Sequence, residues 1–65
     1  MNATDAKRDF VSIGQLAAHV QSPVRSIERA AERLQLVPAM RLNGVAHFDG
    51  EQVEALTAEL RRAAT

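Results

Sequence analysis

Three arginines recur at four-residue intervals in the segment SPVRSIERAAERL, which runs from Ser22 to Leu34. On an α-helix, Arg25, Arg29 and Arg33 stand next to one another, and the repulsion between like charges costs roughly 0.2–0.5 kcal/mol per pair. An anionic partner, such as a row of phosphate groups, removes that repulsion. The spacing therefore fits a helix that binds anions, without by itself establishing one.

The same residues allow a second interpretation, in which the arginines only keep a helix face in water. Arg25 precedes Glu28 by three residues, and Arg29 precedes Glu32 by three. Each arginine is thus within reach of a carboxylate on its own helix, and helices with such pairs are often simply solvent-exposed. The choice between the two interpretations depends on the surrounding elements.

The helix that carries the arginines is predicted to begin at Ser22, whose side chain caps it, with Pro23 in the first helical position. Pro38 disfavours helical angles at the residue before it, so the helix is predicted to end in the segment Leu36, Val37, Pro38. One side of this helix is predicted to pack against the rest of the domain, and the opposite side, with Arg25 and Arg29, is predicted to be exposed. The packing side comprises Ile27, Ala30, Ala31 and Leu34.

A shorter helix is predicted before it, because Ser12 and Gln15 have the spacing of a capping box. Its apolar positions recur with helical period and are Ile13, Leu16, Ala17 and Val20. Residues 1–9 are polar and without periodicity, which predicts a flexible arm followed by one domain over residues 10–65.

The dipeptide Asn43-Gly44 between two short, partly apolar runs predicts a β-hairpin, because a type I′ turn needs positive φ at both central residues. The predicted strands are residues 39–42 and 45–48. Pairing across the turn divides the side chains between two faces, with Met40, Leu42, Val45 and His47 on one and Arg41, Ala46 and Phe48 on the other. Phe48 is expected to enter the core.

The third helix is predicted to start at Asp49, which forms a capping box with Gln52. Its apolar stripe consists of Val53, Leu56 and Leu60. Residues 48–60 carry four acidic side chains and no basic one, whereas residues 19–47 carry four arginines against two glutamates. This segregation predicts one face for phosphate and another kept away from it, although the net charge is zero.

Composition narrows the function classes. The chain has 65 residues, 46% of them apolar, with two aromatics and no cysteine, which indicates one small helical domain without disulfides or thiolate metal sites. No signal peptide or membrane-spanning run is evident, so a cytoplasmic, nucleoid-associated protein is expected. The two histidines are far apart and no catalytic constellation is present. We expect no enzyme activity, no cofactor and no metal.

The turn between the first two helices supplies a further signal. Ala17 and Ile27 are ten residues apart. In helix-turn-helix units, a small residue at the first of these positions lets the second helix approach closely, and a branched apolar residue at the second position holds that helix in place. A glycine is usual in the turn of such units, and Gln21 stands there instead. Either Gln21 tolerates an unusual backbone angle or the turn differs.

The order helix, turn, helix, Asn-Gly hairpin, helix, with the motifs SIGQLA, SPVRSIERAAERL, LVPA and LNGVAHFD, resembles the winged DNA-binding domains of the MerR and phage excisionase group. The resemblance covers roughly Val11 to Leu60. It implies a mainly α, winged helix-turn-helix fold with three helices and a two-stranded wing between helices two and three. It also implies that helix two enters the major groove while the wing reaches phosphates or the minor groove.

We therefore expect double-stranded DNA as the partner, bound by a homodimer or by cooperative copies, without a membrane or a small-molecule effector domain. The chain ends at Thr65, which favours a small transcriptional regulator or an excisionase-like recombination factor. The predicted DNA contacts are Ser22, Val24, Arg25, Ser26, Arg29 and Arg33 on helix two, and Arg41, Asn43 and His47 on the wing.

Two positions depart from the family pattern. Ala46 and Glu28 stand where basic residues are usual, and both should weaken DNA binding or change its docking. Together with Glu32 and the zero net charge, these residues favour an alternative, a protein-protein interaction adaptor that keeps the winged-helix fold. A third alternative is the head of a phage packaging or recombination complex, where DNA binding and assembly coexist.

Overall fold

The chain forms three helices and a small antiparallel sheet in the computed structural model, which describes residues 10–64. The mainly α class is as predicted from the sequence, and the predicted arm over residues 1–9 lies outside the described part. In chain order the elements are β1 (Val11–Ser12), α1 (Ile13–Val20), α2 (Val24–Leu34), β2 (Met40–Leu42), β3 (Val45–Phe48) and α3 (Gly50–Ala64).

The sheet has three strands, in the order β1-β3-β2, so the predicted two-stranded hairpin is joined by a third strand that the sequence did not predict. Val11 pairs with Phe48 and Ser12 pairs with His47, both antiparallel. A two-residue strand is too short to show alternation, which explains why the pattern of the sequence did not reveal it. Through this pairing, the segment before α1 is joined to the end of the hairpin.

The β2–β3 hairpin has the predicted turn and register. Asn43 and Gly44 both have positive φ, at 52° and 79°, and Leu42 faces Val45 across the turn. Strand β2 begins one residue later than predicted. The N–H of Ala39 donates to Oε1 of Gln52 at 3.0 Å and is therefore not available to a strand partner.

Both predicted capping boxes are confirmed. Oγ of Ser12 accepts from the N–H of Gln15 at 3.1 Å, and Oε1 of Gln15 accepts from the N–H of Ser12 at 3.0 Å. Asp49 and Gln52 form the same reciprocal pair, at 2.8 and 3.1 Å. Each box satisfies two backbone donors that a helix start would otherwise leave unpaired.

The prediction that the side chain of Ser22 caps α2 was wrong. The helix begins at Val24, Pro23 is its N-cap with extended backbone angles, and no side chain caps it. The N–H of Ser22 donates to the Ala17 carbonyl at 3.0 Å, and its hydroxyl lies 3.5 Å from the Val20 carbonyl. Ser22 therefore closes the end of α1 instead of opening α2.

Helices α1 and α2 end in the same way, on a glutamine in the left-handed region. Gln21 has φ 55° and Gln35 has φ 54°. After each glutamine, the next N–H bonds back five residues, from Ser22 to Ala17 at 3.0 Å and from Leu36 to Ala31 at 2.9 Å. These are Schellman motifs without the usual glycine, and the second one ends α2 at Leu34, before the predicted segment at 36–38.

The core lies between the three helices and the sheet. It consists of Leu16, Ala17, Ile27, Ala30, Ala46, Phe48 and Leu56. Phe48 enters it as predicted, and the pair at ten-residue spacing, Ala17 and Ile27, is buried there. Leu34 was predicted to pack with them but is 38% exposed at the last position of α2, so the buried side of that helix is shorter than predicted.

We predict that Gln21→Gly stabilises the domain by about 0.5–1 kcal/mol, because glycine adopts positive φ without the steric cost that a side chain incurs. Urea denaturation followed by circular dichroism measures the free energy of unfolding. The control is Ala18→Gly, which puts glycine into regular helix one turn earlier and should destabilise by about 1 kcal/mol. Equal losses in the two variants would contradict a strained turn.

Candidate nucleic-acid interface

Helix α2 has one buried side and one exposed side. Ile27 and Ala30 are completely buried, whereas Arg25 and Arg29 are exposed on the opposite side. The burial of this helix is thus what presents the two arginines to solvent, as the sequence pattern predicts.

Arg25 and Arg29 have no carboxylate partner in the described part of the chain. Within residues 10–64, neither arginine forms an ion pair, and the pairs with Glu28 and Glu32 that the spacing allowed are not made. Glu28 and Glu32 are exposed as well, so α2 carries two positive and two negative side chains without ion pairs in that range. The ion pairs of the second interpretation are thus not formed, while the solvent exposure of the two arginines agrees with both interpretations.

Arg33 differs from the other two arginines. Its Nε donates to Oε2 of Glu59 on α3 at 2.6 Å, and its side chain is 43% exposed. Of the three arginines of α2 that were predicted to contact DNA, two therefore form no ion pair among residues 10–64, and the third joins α2 to α3.

Glu59 is the polar residue that sequence reasoning misplaced. It was grouped with the acidic residues of a face turned away from phosphate, yet its side chain is only 6% exposed and points towards α2. Arg62, on the same helix, bonds both of its oxygens, at 3.1 and 2.6 Å. The available signal was its position three residues after the buried Leu56, on the packing stripe of α3.

The two arginines hold this carboxylate in its charged form. Hydrogen bonds from Arg62, and then from Arg33, lower the pKa of Glu59 to about 2. The bond to Glu59 in turn raises the pKa of Arg62. At neutral pH this Arg33–Glu59–Arg62 cluster is therefore fully ionised, and because it holds two cations and one anion its net charge is positive.

Four of the predicted contact residues lie together, three on one flank of α2 and Ser22 in the turn before it. Ser22, Ser26, Arg29 and Arg33 line a notch of about 270 Å³ whose other wall is the last turns of α3, at Leu60, Ala63 and Ala64. We call this the α2–α3 notch. Val24 and Arg25 are exposed outside it.

The hairpin residues form a second set. Arg41 and Asn43 are exposed, and His47 is half-buried with its Nδ1 2.9 Å from the Val45 carbonyl oxygen. No hydrogen bond or ion pair of the described residues joins these three to α2. Leu42 and Val45, which face each other beside the turn, are 54% and 41% exposed, so the tip of the hairpin is apolar as well as polar.

No protein-family model, characterised protein or solved structure matches this chain. Between residues 10 and 64 no three histidine or acidic side chains are grouped closely enough to hold a metal ion. None of the helices in that range is both long and apolar enough to cross a bilayer.

We predict that Glu59 makes stability depend on pH in the acidic range. Because its pKa falls from 4.5 in the unfolded reference to about 2 in the folded chain, its contribution is complete above pH 4.5 and is lost as the pH falls towards 2. The melting temperatures of the wild type and Glu59→Gln should therefore differ most near neutral pH and converge over that interval. Glu54→Gln, at an exposed site, should show no such convergence, and a constant gap for Glu59→Gln would refute the assignment.

Proposed function

We propose that the chain is a sequence-specific double-stranded DNA-binding protein with a winged helix-turn-helix architecture. In this proposal α2 lies in the major groove, and the β2–β3 hairpin is the wing on the neighbouring backbone. The observation that carries it is the pair of exposed, unpaired guanidinium groups of Arg25 and Arg29, on a helix whose opposite side is buried. The biological role that we propose is that of a small transcriptional regulator or an excisionase-like recombination factor.

The start of α2 supports the same docking. No side chain caps its first turn, so the backbone N–H groups of Val24 and Arg25 remain without a partner among the described residues. Helix N-termini commonly donate to DNA phosphates, and such contacts fix the register of a protein on the duplex. The first turn of α2 would be anchored to the backbone while Arg29, one turn further along, reaches a base edge.

Arginine is the side chain that most often reads guanine, through a bidentate contact with its major-groove edge. Arg29 is the residue that we assign to this role, with Ser26 and Val24 beside it. Arg41 and Asn43 on the hairpin are assigned to contacts with the DNA backbone. A single module of this kind buries only about 600–1,000 Å² against DNA, so specificity would require a dimer or cooperative copies on repeated sites.

A protein-interaction adaptor is the second candidate function, favoured by exposed apolar side chains. Val37 is 77% exposed and Leu42 is 54% exposed, and the chain has no net positive charge to attract DNA from a distance. An interface built on these residues would be largely apolar. Its affinity would change little with salt, whereas DNA binding through several phosphates weakens steeply as salt rises.

We predict that the purified chain enriches defined sequences from a random duplex library, and that Arg29→Ala weakens binding to an enriched duplex by roughly tenfold or more. Fluorescence anisotropy measures the affinity, and circular dichroism confirms that the helices are retained. Arg61→Ala is the matched control, because it removes an exposed arginine from α3 outside the α2–α3 notch.

The result that would overturn this proposal is the recovery of no enriched sequence, together with no binding to any duplex at low salt. If binding occurs but Arg29→Ala and Arg61→Ala have equal effects, α2 is not the reading helix. In that case the second candidate is tested by the same variants against proteins that bind the chain independently of salt.

A further inference from the structure

The α2–α3 notch has the composition of an anion site. Its α2 wall presents Ser26, Arg29 and Arg33, at spacings of three and four residues, which place them along one helical flank, and Ser22 adjoins them from the turn before the helix. Two hydroxyl groups and two guanidinium groups are all donors to a phosphate oxygen. The opposite wall carries no acidic side chain and ends in two alanines, whose small side chains leave the notch open.

Glu59 holds Arg33, one of these donors, in place from outside the notch. It is not part of the lining, and it bonds Nε of Arg33 at 2.6 Å while the side chain of Arg33 remains 43% exposed. The terminal amino groups of Arg33 have no partner among the described residues. An arginine held at Nε presents these groups in a fixed direction and loses less conformational entropy when it binds.

We propose that the α2–α3 notch holds one phosphate group of the DNA backbone, with Glu59 as the positioning residue of Arg33. This inference rests on the proposed function. It makes the junction of α2 with the end of α3 a contact with the DNA backbone, beside the exposed side of α2, and we call this contact the clamp. Arg33 binds the phosphate through its terminal amino groups, Arg29 flanks it, and the Ser26 hydroxyl completes the set of donors. Helix α3 thus contributes to DNA binding through a buried carboxylate.

The charge of the site is compatible with this occupant. Glu59 shares its negative charge between Arg33 and Arg62, so Arg33 is only partly neutralised, and Arg29, which forms no ion pair among residues 10–64, adds its charge to the notch. The competing explanation is that Arg33 and Glu59 only fasten α2 to α3. These explanations differ in one measurable property, the number of counterions released from DNA when the chain binds.

The experiment compares Arg33→Gln with Arg62→Gln on a duplex enriched by the wild type. Both variants remove one positive charge and one partner of Glu59, but only Arg33 lines the notch. Anisotropy titrations at several salt concentrations give the slope of log affinity against log salt. Loss of one phosphate contact reduces that slope by about 0.9, so Arg33→Gln should show this change and Arg62→Gln should retain the wild-type slope.

A second measurement uses the wild-type protein and neutral methylphosphonate groups placed one at a time along the duplex backbone. One position should weaken wild-type binding by roughly tenfold and have no effect on Arg33→Gln. Glu59→Gln should reduce the effect of that same position, which a purely structural role for Glu59 would leave unchanged.

Two results overturn the clamp while leaving DNA binding intact. One is an unchanged salt slope in Arg33→Gln, and the other is a methylphosphonate scan with the same profile in the wild type and that variant. Absence of any duplex binding by the wild type is a different result, which overturns the proposed function together with the clamp. If Arg33→Gln does not fold, Ser26→Ala replaces it in the scan, with the same expected loss at the same backbone position.

Discussion

The burial of one side of α2 is the constraint on which the rest of the structure depends. A domain of 65 residues has few side chains with which to build a core, and here Ile27 and Ala30 are completely buried between α1, α3 and the sheet. Ile27 and Ala30 share this core with Leu16 of α1 and Leu56 of α3, and the dense packing of such a core leaves α2 little freedom to rotate. The direction of its exposed side, and of the unpaired Arg25 and Arg29, follows from that packing. Whatever this helix binds is therefore met by a surface that is formed before the partner arrives.

Polar contacts compensate for the small core at the ends of the elements. Gln52 is the clearest case, since its side chain accepts from the N–H groups of Asp49 and Ala39 and donates to the Val37 carbonyl. One amide thereby starts α3 and holds the loop that leads into β2. Glu59 has a comparable role at the other end of α3, where it binds one arginine of α2 and one of its own helix. Buried polar groups stabilise a fold only when their hydrogen-bonding capacity is met, and no buried side-chain nitrogen or oxygen among residues 10–64 is left without a partner.

The electrostatics also show why net charge is a poor guide to whether a chain of this size can bind a charged partner. The formal charge is zero, yet among residues 10–64 the distribution of partners is unequal, because the one buried carboxylate there is satisfied by Arg33 and Arg62 while Arg25 and Arg29 form no ion pair. Guanidinium groups without an ion pair therefore remain on α2, beside the exposed Glu28 and Glu32. Charges at these positions act on a partner over roughly 8–10 Å in physiological salt, so their local arrangement matters more than the total.

The sequence by itself determined the features that depend on residues within about four positions of one another: both capping boxes, the Asn43-Gly44 turn and its register, and the apolar stripes of the helices. These are local interactions whose geometry is fixed by helical and strand periods. Ser22 shows the limit even of local rules, because its spacing suited a cap of α2 while its N–H closes α1. The tertiary structure alone decided the pairing of Val11 with Phe48 and that of Arg33 with Glu59, which is 26 residues away. Neither pairing has a periodic signature, since each arises only when separate elements are packed against the common core.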